Sequence, residues 1–262
     1  MKQVKFFLVV LMVAVMGVSV TSCLGDENTV REQVPAIVKC INTYPPTFQT
    51  SYGPKLVVND ASLITLNEGE IYFFLYGYDS AEQPDGSPVL NVKLSAGSTP
   101  VSVSAKYSEG PIAESAATKA NAPFYAFNSD GMYPEVTGFK EGDLYVNLPF
   151  AYWVKAEGNE VKTEELNKHS FILTYEEIKP GDTELVMTLN HVINDGADEN
   201  VVRDKQTAMY LKIYNLTNLK SQFEGTSGKK LAKITIKAKV NTSKNSLEGA
   251  RDATLWNYTI TK

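Results

Sequence analysis

Alternation of apolar and polar residues with a period of two dominates the second half of this chain. In Lys230 to Val240 the side chains of Ile234, Ile236, Ala238 and Val240 fall on one face of an extended strand, with Lys233, Thr235, Lys237 and Lys239 on the other. One face is expected to meet a core and the other water. The same period runs through Leu185, Met187 and Leu189, through Met209, Leu211 and Ile213, and through Trp256, Tyr258 and Ile260. With Leu144 to Val154 and Lys168 to Tyr175 added, six such strands predict an antiparallel β-sandwich with few helices. The lysine face reads as a solvated exterior that resists aggregation, in preference to a binding patch.

The first half shows shorter β-type runs: Ala36 to Thr43, Lys55 to Val58, Glu70 to Tyr78, Val89 to Leu94 and Val101 to Tyr107. Tyr44-Pro45-Pro46, Asn59-Asp60, Pro84-Asp85-Gly86 and Gly97 to Pro100 punctuate them as loops. Five short strands in succession suit a small barrel or an open roll, of which the five-stranded OB-fold is one form. From Ser108 to Ala122 the composition turns to Ala, Ser, Glu and Lys, which reads as a linker or a short surface helix. The expected division is therefore an OB-like β domain over 35–112 and a β-sandwich over 113–262, with the linker at about 108–122. Phe124 to Phe139 is aromatic and rich in turns, and Lys140-Glu141-Gly142-Asp143 is a turn that launches the long run from Leu144.

The start of the chain is of another kind. Lys2 and Lys5 form a basic tip, Phe6 to Val20 an apolar run, and small residues follow. As a helix that run would measure roughly 22 Å against a hydrocarbon core of roughly 30 Å, so it reads as a removable export signal over 1–22. Val20-Thr21-Ser22-Cys23 resembles a lipobox, which implies acylation of the Cys23 thiol and cleavage before it. At about 0.8 kcal/mol per buried CH₂, several acyl chains make a permanent anchor in the membrane. The polar stretch 23–34 then reads as a tether. The expected address is the outer membrane, on its periplasmic face or at the cell surface; Asp26 and Glu27 faintly resemble an acidic surface-export tag.

Removing the first 22 of 262 residues leaves 240, enough for two modest domains with real cores. The 25 basic side chains fall to 23 against 30 acidic ones, and the formal charge moves from −5 to −7. Nucleic acid is thereby disfavoured as a partner, because phosphate binding needs a basic footprint. With Cys23 lipidated, Cys40 is the one remaining thiol, so internal disulfides are excluded. Cys40 shares a strand face with Val38 and is expected to be buried and inert.

Gly138-Phe139-Lys140, Asp143 to Leu148, Lys168-His169-Ser170-Phe171, Leu189-Asn190-His191 and Asn194-Asp195-Gly196 occur in that order behind the lipobox. In these motifs the chain resembles the NigD-like lipoproteins of Bacteroidetes, over nearly the whole mature sequence. The resemblance implies an OB-like domain followed by a β-sandwich, no established enzymatic activity and no active-site residues to carry over.

Candidate chemistry is sparse. His169 and His191 are the only histidines, and their separation fits no metal-ligand spacing. Each sits near a strand end and reads as structural. Ser170 follows His169 directly, and adjacency in a strand sends the two side chains to opposite faces. Asp195-Gly196-Ala197-Asp198-Glu199-Asn200 offers oxygen ligands for calcium, without EF-hand spacing, or is a polar connection between strands. Tyr145, Phe150, Tyr152 and Trp153 offer a platform for sugar rings, or are core in one or both parities. No catalytic residue, metal ligand or cofactor is expected. The function expected is non-enzymatic binding or scaffolding of an envelope partner, the alternative being a glycan-binding or glycan-processing accessory.

Overall fold

The structure is a computed structural model that describes residues 30–59, 65–83, 86–112, 120–127, 132–158, 160–195 and 201–260. The export signal and Cys23 lie outside these residues. The chain forms two units: the first holds the described residues up to Ser104 together with Thr137–Asp143, and the second holds Ala105–Val136 and the residues from Leu144 onward.

In the first unit β1 (Val30–Thr43), β2 (Pro46–Thr50), β3 (Lys55–Val58), β4 (Ile71–Asp79) and β5 (Val89–Leu94) are ordered β1-β2-β3-β5-β4. β4 pairs back onto β1 and closes a five-stranded barrel of OB type. The β3–β5 pairing is parallel and the others antiparallel. Alternate residues Ala36, Val38 and Cys40 of β1 point inward and meet Phe48, Leu56, Phe74 and Val92 in one buried cluster. Phe48 and Phe74 form its centre, with ring centroids 5.0 Å apart. Burial pushes the Cys40 thiol pKa up, against the hydrogen bond it donates to the Asn42 carbonyl. A short strand β6 (Val101–Ser102) adds to β4.

Two expectations change here. The tether does not reach Val34, because β1 begins at Val30 and pairs Val30 with Asp79 and Arg31 with Tyr78. Polar side chains hide this segment from a pattern search; its backbone bonds hold it. Pro46 is also not in a loop: it opens β2, paired to Thr43. Between Arg31 and Val34 the β1–β4 register shifts at a bulge, where Gln33 takes φ +55°. Gly77 of β4 lies against that bulge, so closely that a Cβ there would sit 2.9 Å from the Arg31 carbonyl oxygen.

After β7 (Ser104–Ala105), the second unit is built on one mixed, nearly closed sheet. Its strands are β8 (Tyr107–Glu109), β9 (Phe124–Phe127), β10 (Glu135–Thr137), β11 (Tyr145–Val154), β12 (His169–Tyr175), β13 (Glu184–Ile193), β14 (Lys205–Gln206), β15 (Tyr210–Asn215), β16 (Lys233–Val240) and β17 (Arg251–Thr259). The main path runs β7-β15-β11-β9-β16-β13-β12-β8, with β10 and β14 on β11 and β17 on β16. The all-β class stands, with parallel as well as antiparallel pairings in this sheet. β8 with β12, β13 with β16 and β9 with β16 are parallel. From β13 to β16 the chain passes through β15 and a helix, the long crossover that parallel pairing requires. Tyr107–Glu109, placed by composition at the end of the first domain and the start of a linker, belongs to this second sheet. Residues 113–119 of that expected linker lie outside the described residues.

The helix α2 (Thr217–Ser227), which strand periodicity did not reveal, turns Leu219 and Phe223 into the core one turn apart. It stops at Gly228, whose φ of +66° is the left-handed cap conformation glycine favours. A single turn of helix, α1 (Thr163–Leu166), precedes β12. Ile234, Ile236, Ala238 and Val240 are buried as their period requires. Thr235 breaks the rule: it is buried too, bonded to Glu184 and Asn257 on the flanking strands. Trp256, Tyr258 and Ile260 lie on the core side but only half-buried at the edge of the sheet.

Gly77→Ala is expected to destabilise the protein by about 1–3 kcal/mol, because the carbonyl it meets belongs to backbone and cannot swing away. Urea denaturation of the two chains checks this, and an unchanged midpoint refutes it.

Candidate functional site

Ionisable side chains gather where α1, β12 and β13 meet in the second unit. Antiparallel pairing sets His169 opposite Ile193 and Phe171 opposite His191, so the two histidines are diagonal neighbours on one face. His169 Nδ1 and His191 Nε2 stand 2.8 Å apart. His169 Nε2 faces Glu165 Oε1 at 3.2 Å, and His191 Nδ1 faces the Pro123 carbonyl at 3.3 Å. Glu165 comes from α1 and also accepts from the Lys155 N–H at 3.0 Å and from Arg203 Nε at 2.7 Å. The Arg203 side chain is 2% exposed and forks onto a second carboxylate, Asp195, which Lys168 approaches at 3.5 Å.

The electrostatics follow from burial. Burial raises Glu165 and Asp195, but the Lys155 N–H and Arg203 at the first, and Arg203 and Lys168 at the second, outweigh it and hold both carboxyls below their usual range. Desolvation dominates the histidines. It lowers His169 to about 4 in spite of Glu165 beside it, and His191 to about 3 with His169 adding to the effect. Tyr152, Phe171 and Phe124 wall in the rings, with the Tyr152 and His169 centroids 4.8 Å apart. A neutral pair carries two ring protons for three contacts. The ionised Glu165 claims one from His169 Nε2 and the His–His contact claims the other, which leaves His191 Nδ1 and the Pro123 oxygen as facing lone pairs.

His169 and Ser170 do face opposite ways, His169 buried and Ser170 exposed, so they form no nucleophile and base. Of the acidic stretch, 196–200 lies outside the described residues. Asp195 turns both carboxylate oxygens to the Arg203 guanidinium, with Lys168 beside them. Every residue of β11 is buried, so Tyr145, Phe150, Tyr152 and Trp153 are core in both parities and the sugar platform is lost. Phe150, Tyr152 and Val154 join the main cluster, while on the other face Trp153 donates to the Asn241 carbonyl at 2.9 Å. Among the described residues no group of three His, Cys, Asp or Glu side chains is arranged to hold a metal. Glu165 and Arg203 escaped the sequence reading because a one-turn helix and an irregular segment carry no periodic signal.

The barrel offers an open site. A cavity of about 730 Å³ lies beside the β1 bulge, lined by the start of β1, the end of β4, β5 and Asn59 beyond β3. Gly77 leaves a notch in its wall, and Gln83 braces it by accepting from the Asn91 N–H at 2.9 Å and donating to the Asn91 and Asp79 carbonyls. The side chains of Arg31, Glu32, Gln33, Asn59, Asn91 and Lys93 line it without a hydrogen bond or ion pair to other described residues.

No family model matches this chain, and no curated protein matches it. Among solved structures it is similar to a Bacteroides fragilis protein described provisionally as a lipoprotein, at 26% identity and TM-score 0.66, covering 87% of this chain and 97% of that one. It is also similar to an uncharacterised protein from Parabacteroides merdae, at 13% identity and TM-score 0.48, covering 88% and 100%. A third match is a protein of unknown function from Bacteroides vulgatus, at 18% identity and TM-score 0.44, covering 89% and 92%.

Arg203→Ala takes the guanidinium from buried Glu165, which keeps only the Lys155 N–H and His169, and from part-buried Asp195, which keeps only Lys168, and is expected to cost about 3 kcal/mol, measured by chemical denaturation. The histidines also predict a pH dependence. Their folded pKa values lie below the ordinary 6.5, so the unfolded chain takes up protons first and stability falls as pH drops from about 6.5 towards 4. Glu165 and Asp195, also lowered, extend the loss at more acid pH. His191→Phe should flatten the profile between pH 6.5 and 4; an unaltered slope in melting temperature against pH refutes the assignment.

Proposed function

We propose that this chain is a lipid-anchored envelope protein of NigD-like type, held in the outer membrane through Cys23, that works by binding or scaffolding and not by catalysis. The observation that carries the reading is a contrast between the two units. The two histidines and the carboxylates beside them, Glu165 and Asp195, are locked among themselves and Arg203, whereas in the barrel's open cavity Arg31, Gln33, Asn59 and Asn91 present side chains with no partner among the described residues. General acid-base catalysis needs a titrating group within reach of a substrate proton and a pKa near the operating pH, and the histidines offer neither. The likeness to the Bacteroides fragilis protein supports the anchor, since that protein is itself described as a lipoprotein.

Cys23→Ala should leave the protein without acyl mass and move it from the membrane pellet to the soluble fraction after a carbonate wash. Retention of the variant in the pellet sinks the anchor. Purified protein should turn over no glycan, ester or peptide in a broad screen. Turnover abolished by replacing one carboxylate at constant melting temperature sinks the non-enzymatic reading.

A further inference from the structure

We propose that the cavity beside the β1 bulge is a binding site for a neutral saccharide. This rests on the binding reading above and gives it a ligand class. The lining mixes one guanidinium, one ammonium, carboxylates and carboxamides: Arg31 and Lys93 stand against Glu32, Asp79 and Glu82, with the amides of Gln33, Asn59 and Asn91 on the same wall. The opposed charges give no single-sign field to select an ion. A ligand that satisfies such a wall must donate and accept at many points while carrying no net charge. Hydroxyl groups do both. Guanidinium, carboxylate and carboxamide groups each present two polar atoms side by side, a spacing that meets two neighbouring hydroxyls of a sugar ring.

Other observations narrow the class. Tyr78 contributes aromatic surface at the same wall. An extended peptide would need a continuous strand edge, and β1 is interrupted there by its bulge, by Gln33 at φ +55° and by Pro35, which has no N–H. A volume of about 730 Å³ also leaves a single amino acid largely surrounded by water. No residue of β2 or β3 lines the cavity, so it is separate from the strand 2–3 face on which OB barrels commonly take ligands.

Val30 lines this cavity and follows Cys23 by seven residues, at most about 25 Å of extended chain. A saccharide can thus arrive free or as the headgroup of a membrane glycolipid. The full-length Cys23→Ala chain should be titrated with a panel of neutral oligosaccharides, each free and as a lipid headgroup in phosphatidylcholine vesicles, beside a dipeptide and inorganic phosphate. Calorimetry and amide NMR provide the readouts. The expected result is saturable saccharide binding that shifts the amide signals of Gly77 and Asn91. Arg31→Ala and Asn59→Ala, both at exposed positions, should each weaken it about tenfold at unchanged melting temperature. Response to the free sugar supports a soluble ligand, and response to vesicles alone supports a glycolipid; either sustains the site. Binding of dipeptide or phosphate in place of any saccharide overturns the ligand class and leaves the binding reading intact. Silence from every probe, or saccharide binding indifferent to both variants, overturns the site. Hydrolysis of the bound saccharide would keep the site and overturn the non-enzymatic reading instead.

Discussion

A guanidinium held between two carboxylates sets the terms for the second unit. Arg203 is too deeply buried to keep its charge without Glu165 and Asp195, and burial of those carboxylates is tolerable only because Arg203 and Lys168 face them. Glu165 Oε1 accepts from three donors at once: Arg203 Nε, the Lys155 N–H and His169 Nε2. Those bonds tie the end of β11, the helical turn α1, the start of β12 and the segment before β14 to a single atom. Such a network is worth having only when complete, since any missing member leaves a buried charge behind.

In the barrel the same accounting runs the other way. Its interior is apolar and closed by the β1–β4 pairing, and its polar side chains are left at the surface of a cavity where water can satisfy them. The bulge that shapes this cavity is held in place by the absence of a side chain at Gly77, whose Cβ would meet the Arg31 carbonyl. A small residue thus has a structural role, letting the bulge that carries Arg31, Glu32 and Gln33 lie against β4. Order in one unit comes from consumed polarity, and in the other from apolar packing with polarity held in reserve.

Legibility in the sequence followed burial asymmetry. Where one strand face is wet, as in β16, alternation placed Ile234, Ile236, Ala238 and Val240 in the core correctly. Thr235 failed because its neighbours on β13 and β17 cover it, a fact of pairing that no local pattern holds. β11 is dry on both faces, which erases alternation and made its aromatics look available. The stretch from Val30 hid the start of β1 for the opposite reason: Arg31, Glu32 and Gln33 give it no apolar alternation, and backbone pairing with β4 places it in the sheet. Parallel pairing of β13 with β16 was equally invisible, since alternation records which face is buried and says nothing of strand direction.

The histidines show why counting chemical groups tells less than placing them. Two residues 22 apart in sequence become diagonal neighbours through the register of β12 on β13, and that contact, with Glu165 beyond it, absorbs the two ring protons a neutral pair possesses. His191 then has none to give the Pro123 carbonyl, whose 3.3 Å contact is the longest in the chain of three. The segment leading into β9 must therefore be held by other means. Asn121 supplies them: its side chain donates to the Ile193 carbonyl at 2.8 Å and accepts the Ile193 N–H at 2.7 Å, as a paired strand would. The Asn121 and Ala122 N–H groups reach the His191 carbonyl alongside. A carboxamide thus secures the segment that the imidazole faces but cannot donate to, so the ring can stay neutral in the core without loosening the wall around it.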